Sequence, residues 1–383
     1  MKRLFHFTPA KVWLISSLIL VIFIQVNCNA QNPAFHYKKI PDKYKISQPD
    51  QSSYEQKIDS LKGLAFDLTN SLPQGYVTDG SVDYTTYLQQ GIQAHANVIF
   101  PNFPVMIGPR GLTLISNSCL IFKEQSKLIM MPNSQSNYQA IRLNNLKNVT
   151  LYGPIIQGDR DQHKAAKGEW GMGIWIAGCD GVKIYDAHIS DCWGDGIYIG
   201  KGIAPSHNIA LYYPVLDNNR RNGISVVSVV GLLIQSPLVS NTNGTMPMSG
   251  IDIEPNTNED DADNIDIENA VTYNNMKHGI LIVLDRLSGV KQKSLNIRIN
   301  NHIDDGSGIG FGFHNLTGPD GKRPFAGHID IDNAKWKNNN TSFSMYKSFR
   351  NGAAIKFNNV RVLRQDGSSY QPGDNDVRKQ LQQ

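Results

Sequence analysis

Acids, bases and cations recur at one interval through the second half of this 383-residue chain. Asp195 is followed by Arg220 and Arg221, then by Asp252 and Glu254, then by Lys277 and His278. Three chemistries use such a set. β-Elimination of a uronate needs a cation on the carboxylate, a base for the C5 proton and a donor for the leaving oxygen. Arg220 or Arg221 would clamp the carboxylate. His278, with Lys277 as its rival, would be the base, and Tyr198 a proton donor. Asp195, Asp252 and Glu254 would position the sugar or a cation. Glycoside hydrolysis instead makes Asp195 and Asp252 an acid–base pair, and C5 epimerisation could draw on Asp195 with Asp252 or Glu254. The third use is glycan binding without turnover. Against all three stands a solvated face of modest cross-strand pairs, with Arg220 and Asp252 as simple partners.

A second cluster precedes the first. Gly158-Asp-Arg-Asp-Gln-His163 is followed by Gly168-Glu-Trp-Gly171, a pattern of a loop inserted into a repeat. Loops on a rigid scaffold carry function disproportionately. Glu169 and Trp170 would close one end of a groove, Trp170 as a stacking surface for sugar. Arg160 and His163 join the substrate-binding set, as do the rings of Trp175 and Tyr198; the alternative is a loop fixed by its own salt bridges. The acidic run Glu254–Asp263 offers oxygens for Ca²⁺ but lacks the spacing of a Ca²⁺ loop, and a solvated turn is the plainer reading. The metal requirement stays open. Zinc spacings, a phosphate-binding loop and a Gly-x-Ser-x-Gly elbow are all missing from the sequence.

The elements that must position these residues are repeats. Gly173-Ile-Trp-Ile176, Gly196-Ile-Tyr-Ile199, Gly223-Ile-Ser-Val226, Gly250-Ile-Asp-Ile253, Gly279-Ile-Leu-Ile282 and Gly308-Ile-Gly-Phe311 follow one another at 23 to 29 residues. A companion unit runs alongside, from Val149-Thr-Leu151 through Val182-Lys-Ile184 and Ile209-Ala-Leu211 to Ile329-Asp-Ile331. Such a period, with about three short β segments in each, predicts a coil of parallel strands. Alternation sends the two apolar residues of each unit inward and the one between them outward. A single coil cannot bury its own core, but coils stacked at ~4.8 Å can. Asn and Gly suit the left-handed corners. Equal offsets then become vertical neighbours, so the acids, bases and cations share one surface. Asp195 and Asp252 fall two coils apart, roughly 9–10 Å between backbones, close to the ~6.5–9.5 Å of an inverting pair.

The expected fold is all-β, a single-stranded right-handed parallel β-helix over residues 76–370 with an N-terminal capping helix. That helix is expected from about Tyr84 to His95, capped by Asp83, with Leu88, Ile92 and Ala96 over the open end of the stack. Residues 31–75 read as an irregular leader and 371–383 as a polar C-terminal tail. Residues 1–30 read as a signal peptide: Lys2, Arg3 and Lys11 precede an apolar run from Val12 to Val26, and Cys28-Asn-Ala30 resembles a cleavage site. The run is short for a membrane span. The expected location is therefore secreted, periplasmic or at the cell surface, with lipidation at Cys28 as an alternative. The net charge of +4 drops to about +1 without that segment, which leaves no basic excess for nucleic acid. A polysaccharide is the expected partner, and oligomeric state is left open. Cys119, Cys179 and Cys192 do not make a disulfide scaffold; buried thiols are expected in preference to a Cys179–Cys192 bridge.

Three strings, Asp191-Cys-Trp-Gly-Asp-Gly-Ile-Tyr-Ile-Gly200, Asp217-Asn-Asn-Arg-Arg-Asn-Gly-Ile-Ser-Val226 and Gly250-Ile-Asp-Ile-Glu-Pro-Asn256, resemble the pectate-lyase-like superfamily of right-handed parallel β-helices. The likeness spans roughly residues 70–365 and is greatest to the β-helix modules of polysaccharide lyases, uronan C5-epimerases and phage tailspikes. It implies a long groove along one parallel sheet for an extended glycan. The paired-Asp Ca²⁺ signature of pectate lyases, the Asp-Pro-His motif of alginate epimerases and the Asn-Thr-Asp and Arg-Ile-Lys motifs of polygalacturonases are not found. The expected function is a secreted polysaccharide-active enzyme, foremost a lyase on an acidic glycan.

Overall fold

A computed structural model describes residues 35–45, 59–60, 63–314, 325–346 and 354–381. The expected signal peptide, the Cys28 site, residues 31–34, 46–58 and 61–62 of the leader and residues 382–383 of the tail lie outside them. By contacts the chain divides into Met1–His36, of which only residues 35–36 are described, and Tyr37–Gln383, which carries the fold.

Each coil contributes one strand to each of three sheets. Ile197–Gly200, Ser206–Tyr212 and Val215–Asp217 belong to three different sheets, and Asn222–Val226 then pairs with Ile197–Gly200 one coil on. The sheets hold nine, eleven and ten strands, and the pairing is parallel. Their interior is built from columns of β-branched and leucine side chains. Ile174, Ile197, Ile224, Ile251 and Ile280 stand above one another in the nine-stranded sheet, all fully buried. β-Branched residues fit the pleat and lose little rotamer freedom there.

At the corners, Asp191, Asn218, Asn241 and Asn274 all take φ between 51° and 57°. Asn tolerates this left-handed conformation because its amide bonds locally. Here the amides bond between coils: Asn218 Nδ2 donates to Asp191 Oδ1 (2.7 Å), and Asn274 Nδ2 to Asn241 Oδ1 (2.8 Å). Cys179 and Cys192 are buried as separate thiols in the core.

The sixth Gly-Ile unit is displaced by two residues from its expected register. Ile280 pairs with Phe311, not with Ile309, which is only half-buried. A two-residue slip keeps every side chain on its face. It also brings Phe311 and Phe313 inside, where Trp336 and Phe343 complete an aromatic end to the core.

Both ends of the stack are covered. Helix Thr85–Ala94 lays Leu88 and Ile92 on the first coils. Asp83 Oδ1 accepts from Thr85 N (2.9 Å) and from Gly108 N (3.1 Å), so it ties the helix start to the coil. Ala96 lies past the helix and is exposed, which corrects its expected place on the apolar face. Residues 371–381, expected as a polar tail, form a second helix, Gln371–Leu381. Asp374 Oδ1 accepts from Val362 N (2.7 Å) and Gln380 Nε2 donates to Phe343 O (3.3 Å), and Val377 is buried in the core. The leader is ordered where described. Residues 37–45 cross the corners of the ten-stranded sheet, with Tyr37 bonded to Asp217, Lys38 to Asn241 and Tyr44 to Asp305.

A polar chain lies inside the last coils. Trp336 Nε1 donates to His302 Nδ1 (3.2 Å), which leaves Nε2 as the protonated nitrogen, 2.8 Å from the Thr272 hydroxyl. That hydroxyl is 2.6 Å from Asp304 Oδ2. Burial lowers His302 to about 3 and raises Asp304 to about 7. Near pH 5 the unfolded chain therefore keeps one proton on the histidine, and the folded chain keeps one on the aspartate. The two linkages oppose each other and largely cancel. Asp304→Asn should unmask the histidine: the unfolded chain then binds the extra proton, and stability falls as pH falls from about 6.5 toward 4. A plot of Tm against pH checks this, and a slope equal to that of the parent protein contradicts it.

Candidate active site across the nine-stranded sheet

The outer face of the nine-stranded sheet carries the residues singled out in the sequence. Tyr198, Ser225 and Asp252 are successive register partners on strands Ile197–Gly200, Asn222–Val226 and Ser249–Ile253. They floor a cavity of about 430 Å³. Because the strands are parallel, residues before them share one edge of the sheet and residues after them share the other. Glu169, Trp170 and Arg221 line the cavity from the first edge, and Glu254, Asn256 and Arg286 from the second. Gly200 makes room for the Tyr198 ring, since a Cβ there would sit 2.4 Å from its Cε1.

One hydrogen-bonded network joins the charged groups. Arg221 Nη1 lies 3.3 and 3.2 Å from the two oxygens of Asp195, which is wholly buried. Asn222 N donates to Asp195 Oδ1 (3.1 Å), and Asn222 Nδ2 donates to Asp252 Oδ2 (3.0 Å) and to Ser225 Oγ (2.9 Å). Asn222 thus bridges the two carboxyl groups. Arg221 Nε stands 3.8 Å from Glu169 Oε2 and makes no hydrogen bond of its own. Asp252 Oδ1 is buried without a partner.

The environment raises the acids. Burial, reinforced by neighbouring Glu254, pushes Asp252 well above the usual carboxylate range. Glu254 also rises through burial, against the pull of Arg221 and Arg286. Two carboxyls on one face at i and i+2 therefore favour a shared proton over two charges. Asp195 rises by burial too, although Arg221 opposes it. Burial and then Asp195 keep the Tyr198 phenol protonated up to about 12.

The other expected site residues lie elsewhere. Asp195 is beneath the cavity floor as the counter-ion of Arg221. Arg220 faces the inserted loop, over the Trp193 ring and bonded to Gly168 O. Arg160 is spent on Asn218 and Asn243. His163 is enclosed against Tyr138 and Trp193, with Nδ1 2.9 Å from Asp159 Oδ2. His278 faces outward as expected but is covered, edge-on to His314 and packed over Gly312; burial, His314 and Lys277 lower it to about 3. Neither His278 nor Lys277 lines the cavity, and Trp175, one coil from Tyr198, does not either. The acids of the run are otherwise engaged: Asp260 Oδ2 accepts from Asn256 N, Thr257 N and Thr257 Oγ1, Asp261 pairs with Lys293 and Asp263 accepts from Asn296, while Glu254 lines the cavity. Among the described residues no grouping of His, Cys, Asp and Glu is arranged to hold a metal ion.

Arg286 and Asn256 went unread in the sequence. Arg286 belongs to the short helix Asp285–Leu287, which Asn258 pins through Leu287 O (2.5 Å) and Lys291 O (3.1 Å). The available signal was the long corner after Ile282: fifteen residues separate it from Ile297, where six separate Val226 from Leu232.

No family model matches the chain. It is 29% identical over 272 residues to the uncharacterized protein YclG of Bacillus subtilis (strain 168), covering 67% of this chain and 45% of YclG. The chain thus spans less than half the length of that curated relative. Among solved structures, it superimposes on PfbA, a surface adhesin of Streptococcus pneumoniae, with a TM-score of 0.58 at 13% identity over 79% of each chain. It matches the A-module of the Azotobacter vinelandii mannuronan C-5 epimerase AlgE4 with a TM-score of 0.56 at 14% identity, over 80% of this chain and 90% of that one. Endo-xylogalacturonan hydrolase from Aspergillus tubingensis gives 0.55 at 13%, over 78% and 93%. At such identities the likeness is one of fold, and by fold the chain is a right-handed parallel β-helix.

Proposed function

We propose that the protein is a secreted polysaccharide-cleaving enzyme whose proton donor is the Asp252–Glu254 pair. The observation that carries this reading is the Asp252 carboxyl, buried on the cavity floor, held above its ordinary range and paired with the carboxyl of Glu254. Two buried carboxyls side by side disfavour a second charge, so the pair keeps a proton that it can donate. The basic and apolar N-terminal segment supports export. The fold shared with a mannuronan epimerase module and a xylogalacturonan hydrolase supports a polysaccharide substrate.

Hydrolysis then uses both edges of the sheet. The proton of the Asp252–Glu254 pair passes to the glycosidic oxygen as its bond to the anomeric carbon breaks. Glu169, beside Arg221 on the first edge, takes a proton from the water that attacks that carbon. Acid and base line the cavity from opposite ends of the strands, with Arg221 beside the base. Trp170, 46% exposed at the rim, offers a ring to a sugar face.

A specific observation favours elimination as the second reading. Arg286 is an exposed guanidinium at the cavity, within electrostatic reach of Glu254, and can meet a uronate carboxylate. Glu169 would take the C5 proton as the bond from C4 to the leaving oxygen breaks, and the Tyr198 phenol would protonate that oxygen. An acidic glycan remains the substrate of choice under both readings.

A panel of uronate polysaccharides separates the readings. New reducing ends without ultraviolet absorbance mark hydrolysis; an absorbing double bond marks elimination; retention of intact glycan marks a binder. Asp252→Asn should lower turnover by at least ~10²-fold without loss of Tm, and full activity in that variant removes the cavity as the active site. Because the pair must be protonated, kcat/KM should fall as pH rises through its raised pKa; a profile flat on that side contradicts the donor role. Arg221→Ala leaves Asp195 buried without its counter-ion and should cost about 3–5 kcal/mol in denaturant unfolding. Adding Asp195→Asn should restore much of that loss; no recovery would mean that Asp195 is not what makes Arg221 necessary.

A further inference from the structure

The loop between strands Ile155–Gln157 and Trp170–Ala177 delivers Glu169 and Trp170 to the cavity, and a separate cluster holds it. Its hub is Asp159, whose buried carboxylate accepts from Asn133 N (3.1 Å), Asn133 Nδ2 (3.0 Å) and the Tyr138 hydroxyl, and lies 2.9 Å from His163 Nδ1. The His163 ring stacks on Tyr138 (5.6 Å) and on Trp193 (4.2 Å). Arg220 ends this series. Its guanidinium carbon is 3.6 Å from the Trp193 ring centre, and Nη1 donates to Gly168 O (2.8 Å) and Trp193 O (3.2 Å).

Gly168 immediately precedes Glu169. Its φ of +115° is open only to glycine in practice, and a Cβ there would lie 2.7 Å from Ser136 Cα. Without a side chain, the orientation of this peptide depends on what its carbonyl meets, which is Arg220. On the other side, Gly194 lets the backbone settle: its Cβ would stand 2.4 Å from Glu169 O, and its N–H donates to Gly171 O (2.7 Å). The backbone on both sides of Glu169 is thereby fixed before Arg221 meets its carboxylate.

From this geometry we infer that Arg220 is a positioning residue: through the Gly168 carbonyl it holds Glu169 in place across from the Asp252–Glu254 pair, and does not itself touch the glycan. The inference rests on the reading of Glu169 as the cavity base.

The test is a double-mutant cycle on kcat and KM with Glu169→Gln, Arg220→Ala and the double variant. Arg220→Ala should lower kcat by roughly 10- to 100-fold with KM little changed, and added guanidinium ion should restore part of it. In the Glu169→Gln background the same substitution should lower kcat no further, because its effect runs through Glu169. Additive losses, or full kcat in Arg220→Ala, overturn the positioning role while leaving the base intact. Full kcat in Glu169→Gln removes the base reading and the inference with it. Arg220→Lys keeps the charge but not the planar fork. If the alanine variant does not fold, the lysine variant takes its place in the cycle, with the same expected and overturning results.

Discussion

The backbone ladder between successive coils is the constraint on which everything else depends. Parallel strands ~4.8 Å apart leave each residue one neighbour above and one below, and that neighbour is fixed by register. The interior columns of Ile and Leu, the corner amides and the acid–Asn–acid bridge at Asp195, Asn222 and Asp252 are all consequences of one repeated pairing. Regular stacking alone makes a flat face, not a site. Two departures from regularity make the cavity: the loop that brings Glu169 and Trp170 to one edge, and the long corner that brings Arg286 to the other.

The network also divides labour between adjacent charged residues. Arg221 looks onto the sheet and balances Asp195, while Arg220 turns to the loop backbone. A charge buried with a partner beneath the floor keeps the floor itself supplied with a cation, and its pull on the Asp252–Glu254 pair is outweighed by burial, so both acids rise. The raised acidity constants are thus a property of the whole network rather than of either carboxyl alone.

Much of this was legible because it is local. The alternation in Gly223-Ile-Ser-Val226 declares which side chains face the core, and a count between units declares vertical neighbours. Tyr198, Arg221, Asp252 and Glu254 were found that way, and Glu169 and Trp170 from the loop that interrupts the repeat. What alternation cannot express is length and cover. A period of two is blind to a slip of two, so Ile309 was read in place of Phe311. It states that His278 points outward, but not that His314 and Gly312 close over it. It does not separate Arg220 from Arg221, since a turn decides where each goes. The helix Gln371–Leu381 was missed because Asp374 and Gln380 dock it by hydrogen bonds, and these leave no apolar stripe.

The segment that crosses the corners of the ten-stranded sheet has a mechanical consequence. Through Tyr37, Lys38 and Tyr44 it grips coils at Asp217, Asn241 and Asp305, along about 14 Å of the stack. Tension applied to the chain ahead of Tyr37 would load those attachments together, in shear, instead of unzipping a single outermost turn.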